Sequence, residues 1–539
     1  MDEIFPEAGA FVHDREEPAN IFPAGRQTKS IGKQLRKKFL FKGLMIMTLT
    51  DKKKGRQKPV VMLIVDTLLD PPLREAIKQN KAPAFQFLME RGMYFPDVVT
   101  AFPAMSVNVD TTLLTGTYCD RHHVPGLAWF SAEENRLINY GTGYRELYKL
   151  GVSRSLNDTL FQLNNRHISK HVQTIHEALK EQGKSSASIN ALIFRGPAEK
   201  KFRFPTWTNF FVPLAKKQPV KGTDLFTYGA FQRISPSKKH QSIWKKFGFN
   251  SHYAVGEFIY LLKHGLLPKF TIVYLPELDK RVHKYGRMDV QGVVMADQFV
   301  QKILNAFPSW EQALEHCIWI TMGDNGQAHI SADRQQALID LRKIFAGRRI
   351  MKLKKGVRTG DEIVLAVNQR MAYVYTLKEK ILPVRELAEV LAGDSRIDVI
   401  AWKEGDAVEV RSGERAGALR FQKGGAWNDV YGQSWHLEGN PEILDLTVNG
   451  NKISFGDYPD ALARLHSSLH SHPGHFVIAN AAPGSEFIGE SSPNHVGGAA
   501  HGGLHRDDSL IPMIVNGTEK RPDYPRVVDL KNWLLELMD

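Results

Sequence analysis

Apolar residues along this chain gather in short unbroken runs, each closed by a turn or an acidic residue. Val60–Val65 reads VVMLIV, is rich in β-branched side chains, and is followed by Asp66. Phe270–Leu275 reads FTIVYL and gives way to Pro276 and then Asp279; residues 317–322, CIWITM, give way to Asp324. A fourth run, residues 510–515, follows His501. A run that is apolar at every position predicts a strand buried on both faces, as in a parallel sheet. Between the runs the pattern changes to amphipathic helices, as over residues 171–182 and 290–306. Strands alternating with helices predict an α/β fold: a doubly wound, mainly parallel central sheet flanked by helices.

Two stretches break this alternation. Residues 196–255 are dense in aromatics and Lys/Arg and read as an insertion near the mouth of the site, its aromatics forming the insertion's own core or, alternatively, lining an apolar leaving-group pocket. Residues 341–475 are richer in strand patterns, with 423–426 (KGGA) as a turn between two of them, and read as an inserted α+β subdomain. The expected organisation is a basic N-terminal extension over 1–57, a core over 58–340, the subdomain over 341–475, and a return to the core over 476–539.

Composition narrows the field. The 539 residues are 42% hydrophobic and 24% charged, as in ordinary globular proteins. A formal net charge of +13 suits anionic partners without choosing among phosphate esters, nucleic acid and anionic lipid. No specific nucleic-acid motif is visible. The two cysteines, Cys119 and Cys317, stand far apart, which argues against a thiolate zinc site or a disulfide framework. The first residues lack the apolar core of a signal peptide, and residues 39–49 are too short to span a bilayer. The expectation is a cytoplasmic protein. About a dozen Lys/Arg over residues 26–58 make a solvated arm the plain reading and peripheral contact with an anionic membrane the sharper one.

Asp66, Asp279 and Asp324 each follow the carboxyl end of a predicted strand, where open α/β sheets bind ligands. Asp279 and His283 are four residues apart, so one helical face or one tight loop brings both to a single ion. Ser106 precedes a helix-like run, and a helix N-terminus favours an alkoxide and a phosphate. His501 opens HGGLHRDD, where Gly502–Gly503 fits a close backbone approach and His505 is the competing histidine. Oxygen and nitrogen ligands without cysteine suit two divalent ions about 4 Å apart, which can polarise a phosphate, align a nucleophile and stabilise a leaving oxygen. The plain alternatives are a helix cap for Asp66 or Ser106, a surface pair for Asp279 and His283, and an exposed helix face for His466 and His470.

Together these residues resemble the type I phosphodiesterase and nucleotide pyrophosphatase branch of the alkaline phosphatase superfamily. The similarity runs in order over residues 58–517, with 341–475 poorly matched: the strand-end Asp66, Ser106 before a Thr-Gly turn, Asp279 with His283, Asp324-Asn325-Gly326, and His501-Gly502. The resemblance implies a metal-dependent hydrolase that cleaves a phosphodiester or phosphomonoester through a phosphoseryl intermediate on Ser106. It implies one ion on Asp279, His283 and His501, and a second on Asp66, Asp324 and Ser106 with Asn325 in the last position. Zinc is the family's usual ion. Asn325 stands where the family has His, and an amide oxygen suits manganese or magnesium better at that second site; His329 is the nearby substitute. Asn108, two residues after Ser106, is the candidate phosphate contact, whereas family diesterases carry an Asn three after the nucleophile. The substrate would be a small phosphate ester, with a nucleotide and a lipid head group both open. Phosphonate hydrolysis, phosphate-group transfer within a molecule and non-catalytic binding of an anion are the alternatives on the same scaffold.

Overall fold

The computed structural model describes residues 57–204 and 218–539. The N-terminal arm, its apolar stretch and Trp207, Phe210 and Phe211 lie outside those residues. No helix among the described residues is long and apolar enough to cross a membrane.

A seven-stranded sheet forms the centre, in the order Met93–Val99, Leu510–Asn516, Ile318–Met322, Val60–Val65, Phe270–Leu275, Ser186–Ile189, Leu225–Thr227. Val60–Val65 pairs in parallel with Ile318–Met322 on one side and with Phe270–Leu275 on the other. The fourth apolar run of the sequence also joins this sheet, but antiparallel to its neighbours. The unbroken apolar pattern is explained by which way alternate residues point. Val60, Met62 and Ile64 enter one core, whereas Val61, Leu63 and Val65 enter the other. Helices Asp70–Lys78, Pro83–Glu90, Ser251–Lys263 and Val290–Leu304 bury their apolar stripes in the second core. Helices Ser106–Thr115, Ile175–Glu181 and Leu530–Glu536 cover the opposite face. Ile175–Glu181 starts at a capping box in which Thr174 and Glu177 satisfy each other's backbone amides.

A nine-stranded sheet occupies much of the segment expected to be α+β, and its core is continuous with that of the first face. Its strand His475–Ala481 lies between Met371–Thr376 and Ile397–Glu404, so the sheet runs past the expected boundary at 475. Residues 423–426 are not a turn. They lie within the single strand Leu419–Asp429, where the pairing with Ser434–Gly439 shifts register between Lys423 and Trp427. Gly424 and Gly425, at φ 79° and 152°, permit that bulge. Within 196–255, Leu225–Thr227 is an edge strand of the central sheet rather than part of an insertion. Phe194, Phe202, Phe226, Tyr228, Phe231, Phe247 and Phe249 form a separate aromatic core.

Candidate active site

The carboxyl ends of the parallel strands open into one cavity. Asp66 follows Val60–Val65, Asn190 follows Ser186–Ile189, and Pro276 follows Phe270–Leu275, and all three line it together with Ser106, Asp279, His283 and His501. Asp66 caps no helix, because the next helix begins at Asp70. Ser106 is the first residue of helix Ser106–Thr115, with Met105 in the N-cap position, so its hydroxyl stands at the positive end of the helix dipole. Helix Glu277–Tyr285 carries Asp279 and His283 on one face, one turn apart.

Asp279, His283 and His501 offer ligand atoms that all lie within 4.8 Å of one another. His283 Nδ1 is 2.8 Å from the Ala499 carbonyl, and His501 Nδ1 is 2.8 Å from the Ala104 carbonyl. A carbonyl accepts only, so each Nδ1 carries the proton and each Nε2 turns its lone pair to the site. Those Nε2 atoms lie 3.3 and 3.9 Å from Asp279 Oδ1. Burial would push the Asp279 carboxyl up, but the two imidazoles and the Thr67 hydroxyl hold it well below the ordinary carboxylate range. Burial pushes His501 down to about 4, which keeps it neutral at pH 7 as a metal ligand must be. Two anchored imidazoles and an ionised carboxylate are a donor set that fits zinc.

The close backbone approach expected at the glycine pair is present. Gly502 has φ 100°, and a Cβ there would meet the Asn368 carbonyl oxygen at 2.5 Å and Met105 at 2.7 Å. This contact seats the His501 loop against the start of the Ser106 helix.

The profile of the type I phosphodiesterase / nucleotide pyrophosphatase family matches residues 60–447. The chain belongs to that family. Its fold is like that of human ectonucleotide pyrophosphatase/phosphodiesterase 5, at 14% identity and a TM-score of 0.52, covering 89% of this chain and 95% of the other. It is also like phosphonoacetate hydrolase from Sinorhizobium meliloti 1021, solved with phosphonoformate and with phosphonoacetate. There the identity is 12%, the TM-score is 0.54, and the coverage is 90% of this chain and 98% of the other. No curated protein matches by sequence. Family membership and the α/β architecture place the chain in the alkaline phosphatase superfamily and support an enzyme of the phosphodiesterase/pyrophosphatase type.

The second family ligand set is built from oxygen. Asp66 and Asp324 flank the Tyr274 hydroxyl, which donates to Asp66 Oδ2 at 2.7 Å and stands 3.4 Å from Asp324 Oδ2. Asp324 Oδ1 accepts from the backbone amides of Thr67 and Asn325 at 3.0 and 2.9 Å. Burial pushes the Asp324 carboxyl up. The Asn325 amide reaches from Thr67 Oγ1, at 3.2 Å, to Ser106 Oγ, at 3.3 Å. Carboxylate and hydroxyl oxygens suit a hard ion such as manganese or magnesium, while Asn325 turns its Nδ2 to Ser106 and its Oδ1 to Thr67.

Four sequence expectations find other places. Asn108 is fully buried, donates to the Pro103 carbonyl at 2.8 Å, and does not line the cavity. It follows Ser106 by two residues and therefore points off the helix face that looks into the site. His329 is exposed on the short strand Ala328–His329, away from the ligand cluster. His505 accepts from the Asp507 amide at a helix start, which leaves the ligand role to His501. His466 and His470 lie on no exposed face: helix Ala461–Leu469 is buried, and the two rings stack at 4.0 Å.

Residues that sequence reasoning missed complete the site. Tyr274 is hidden inside a largely apolar strand, where Thr271 carries a hydroxyl as well. Gln327 Nε2 donates to Asp279 Oδ1 at 2.7 Å, and Thr67 Oγ1 donates to the same oxygen at 2.9 Å. Thr67 has φ 60°, a left-handed backbone that turns the chain sharply after Asp66. His495 stacks on His283 at 4.1 Å and pairs through Nδ1 with the buried Glu486 at 2.8 Å, bracing one ligand.

Proposed function

We propose that this protein is a metal-dependent phosphodiesterase-type hydrolase that acts through Ser106. The observation that carries this reading is one cavity holding Ser106, at a helix N-terminus, beside Asp279, His283 and His501. Asp279, His283 and His501 would hold one divalent ion, by chemistry zinc. Asp66, Asp324, Ser106 and Asn325 would hold a second, by chemistry manganese or magnesium. When bound, the ions neutralise phosphate oxygens and favour the ionised serine and the leaving oxygen.

Ser106 Oγ attacks phosphorus as the bond to the ester oxygen breaks, and the serine's proton ends on the departing alcohol. Water then cleaves the phosphoseryl bond and restores the hydroxyl. The helix dipole stabilises the serine oxygen and the phosphate. Asn325 and Asp324 hold the hydroxyl in place. The cavity wall among the described residues carries no Lys or Arg, so a diester, with one charge, suits it better than a doubly charged monoester.

The test is turnover of an aryl phosphodiester by protein loaded with zinc and manganese. Ser106→Ala is expected to lose at least about a thousandfold in kcat while keeping the Asp279 ion. Unchanged turnover in Ser106→Ala would sink the proposal.

A further inference from the structure

Part of the cavity lining is apolar, although the chain as a whole is strongly basic. Leu127, Leu192, Phe249, Val367 and Pro493 line it, and Leu127 and Leu192 remain partly exposed there. Most polar side chains interleaved with them are bonded within the protein, including Gln369, whose Oε1 accepts from the His501 amide at 3.0 Å; the Ser492 hydroxyl accepts and keeps its proton to donate. Asn190 donates to the Gly248 carbonyl at 2.8 Å and accepts from the Gly229 amide at 2.9 Å. Asn368 spans the Ala128 backbone, accepting from its amide at 2.9 Å and donating to its carbonyl at 2.8 Å. Thr142 Oγ1 accepts from Asn139 at 2.7 Å, and Ser492 Oγ accepts from the Gly489 amide at 3.0 Å. The carboxylates among the lining residues are Asp66 and Asp279, in the same cavity as Ser106, His283 and His501.

This lining has a consequence for the substrate. The ligand residues meet one phosphate. The apolar part offers an ester group apolar contact, few unspent hydrogen bonds and, among the described residues, no counter-charge. A second phosphate or a carboxylate placed there would lose its hydration without a partner, while an alkyl or aryl group would gain from leaving water.

We propose that the group esterified to the phosphorus is uncharged and apolar, an alkyl or aryl substituent seated against Leu127, Leu192 and Phe249. This rests on the reading of Ser106 and the ligand cluster as the phosphate side of the cavity. It disfavours nucleoside polyphosphates and carboxylate-bearing phosphonates as substrates.

Binding separates this inference from turnover. Diphenyl phosphate and bis(4-carboxyphenyl) phosphate differ by a carboxylate on each ring. Each is titrated by calorimetry into the full-length, zinc- and manganese-loaded Ser106→Ala protein. Diphenyl phosphate is expected to bind about tenfold more tightly or better. Leu192→Lys is expected to shrink or reverse that preference, and Phe249→Ala to weaken diphenyl phosphate while leaving inorganic phosphate unchanged. Equal affinity for the two probes, or tighter binding of the carboxylate, overturns the inference. Absence of turnover by the wild-type protein would bear on the Ser106 chemistry alone, because the binding preference is read without it.

Discussion

The Tyr274 hydroxyl stands between Asp66 and Asp324, donating to the first at 2.7 Å and lying 3.4 Å from the second. It comes from a strand adjacent to the one that Asp66 ends, and it is fully enclosed. Without an ion, this phenol satisfies the buried Asp66 carboxylate, while Asp324 is held chiefly by the backbone amides of Thr67 and Asn325. Tyr274→Phe is expected to cost the metal-free protein about 1–3 kcal/mol, and added manganese is expected to recover more of the melting temperature than in wild type. Thermal melts with and without manganese decide it; an equal loss in both states would show that the hydroxyl does not share the ion's place.

The Asn325 amide sits between Thr67 and Ser106, fully buried, at a position where the resemblance to the family implies an imidazole. Asn325→His adds a nitrogen donor to an all-oxygen set, so zinc retained after dialysis against a weak chelator is expected to rise from one ion per chain towards two. Elemental analysis of both proteins gives the answer, and an unchanged stoichiometry would count against assigning Asn325 to that ion.

How much of this was legible in the sequence follows from the kind of signal each residue leaves. The central strands announced themselves because both faces are buried, as Val60–Val65 shows by feeding two cores. Asp66, Asp279 and Asp324 were visible because acids recur, in order, just after apolar runs, which a single helix cap or surface pair does not explain. Tyr274 and Thr67 were not, since a phenol in a strand and a threonine after one are unremarkable until their partners, some 200 residues away in sequence, are placed. Asn108 misled because adjacency in sequence is not adjacency on a helix: two residues after Ser106 is the far side. The division at 475 failed for a similar reason, since the strand His475–Ala481 pairs with strands far from it in the chain.

Acid should unsettle the fold through histidines remote from the ligands. Burial pushes His122, His176 and His472 from 6.5 down to about 3. Between those values the unfolded chain binds protons that the folded chain refuses. The stability they contribute is therefore complete above about pH 6.5 and is lost as pH falls towards 3. Each fully buried imidazole steepens the loss by about 1.4 kcal/mol per pH unit. Denaturant titrations at pH 7, 6, 5 and 4 should trace this slope, and His176→Leu should flatten it by one proton's share. A stability independent of pH across that range would contradict the assignment.

The loop that delivers His501 is held by a buried ion pair. Arg370 and Asp508 are both fully enclosed and bonded to each other. The Arg370 guanidinium also donates to the carbonyls of Ser485 and Ala481, and its backbone amide donates to the His501 carbonyl at 3.1 Å. Asp508 in turn accepts from the Gly503 amide at 3.0 Å. The pair thus ties the second sheet to both ends of the His501-Gly502-Gly503 turn. Arg370→Met leaves the Asp508 carboxylate buried and alone, at an expected cost of about 3–5 kcal/mol. Asp508→Asn in the same chain removes the stranded charge and should return part of that stability. Zinc affinity should fall in Arg370→Met and remain low in the double variant, because the fold regains stability while His501 stays untethered. Full recovery of zinc binding in the double variant would mean that the pair protects the fold and does not position the ligand.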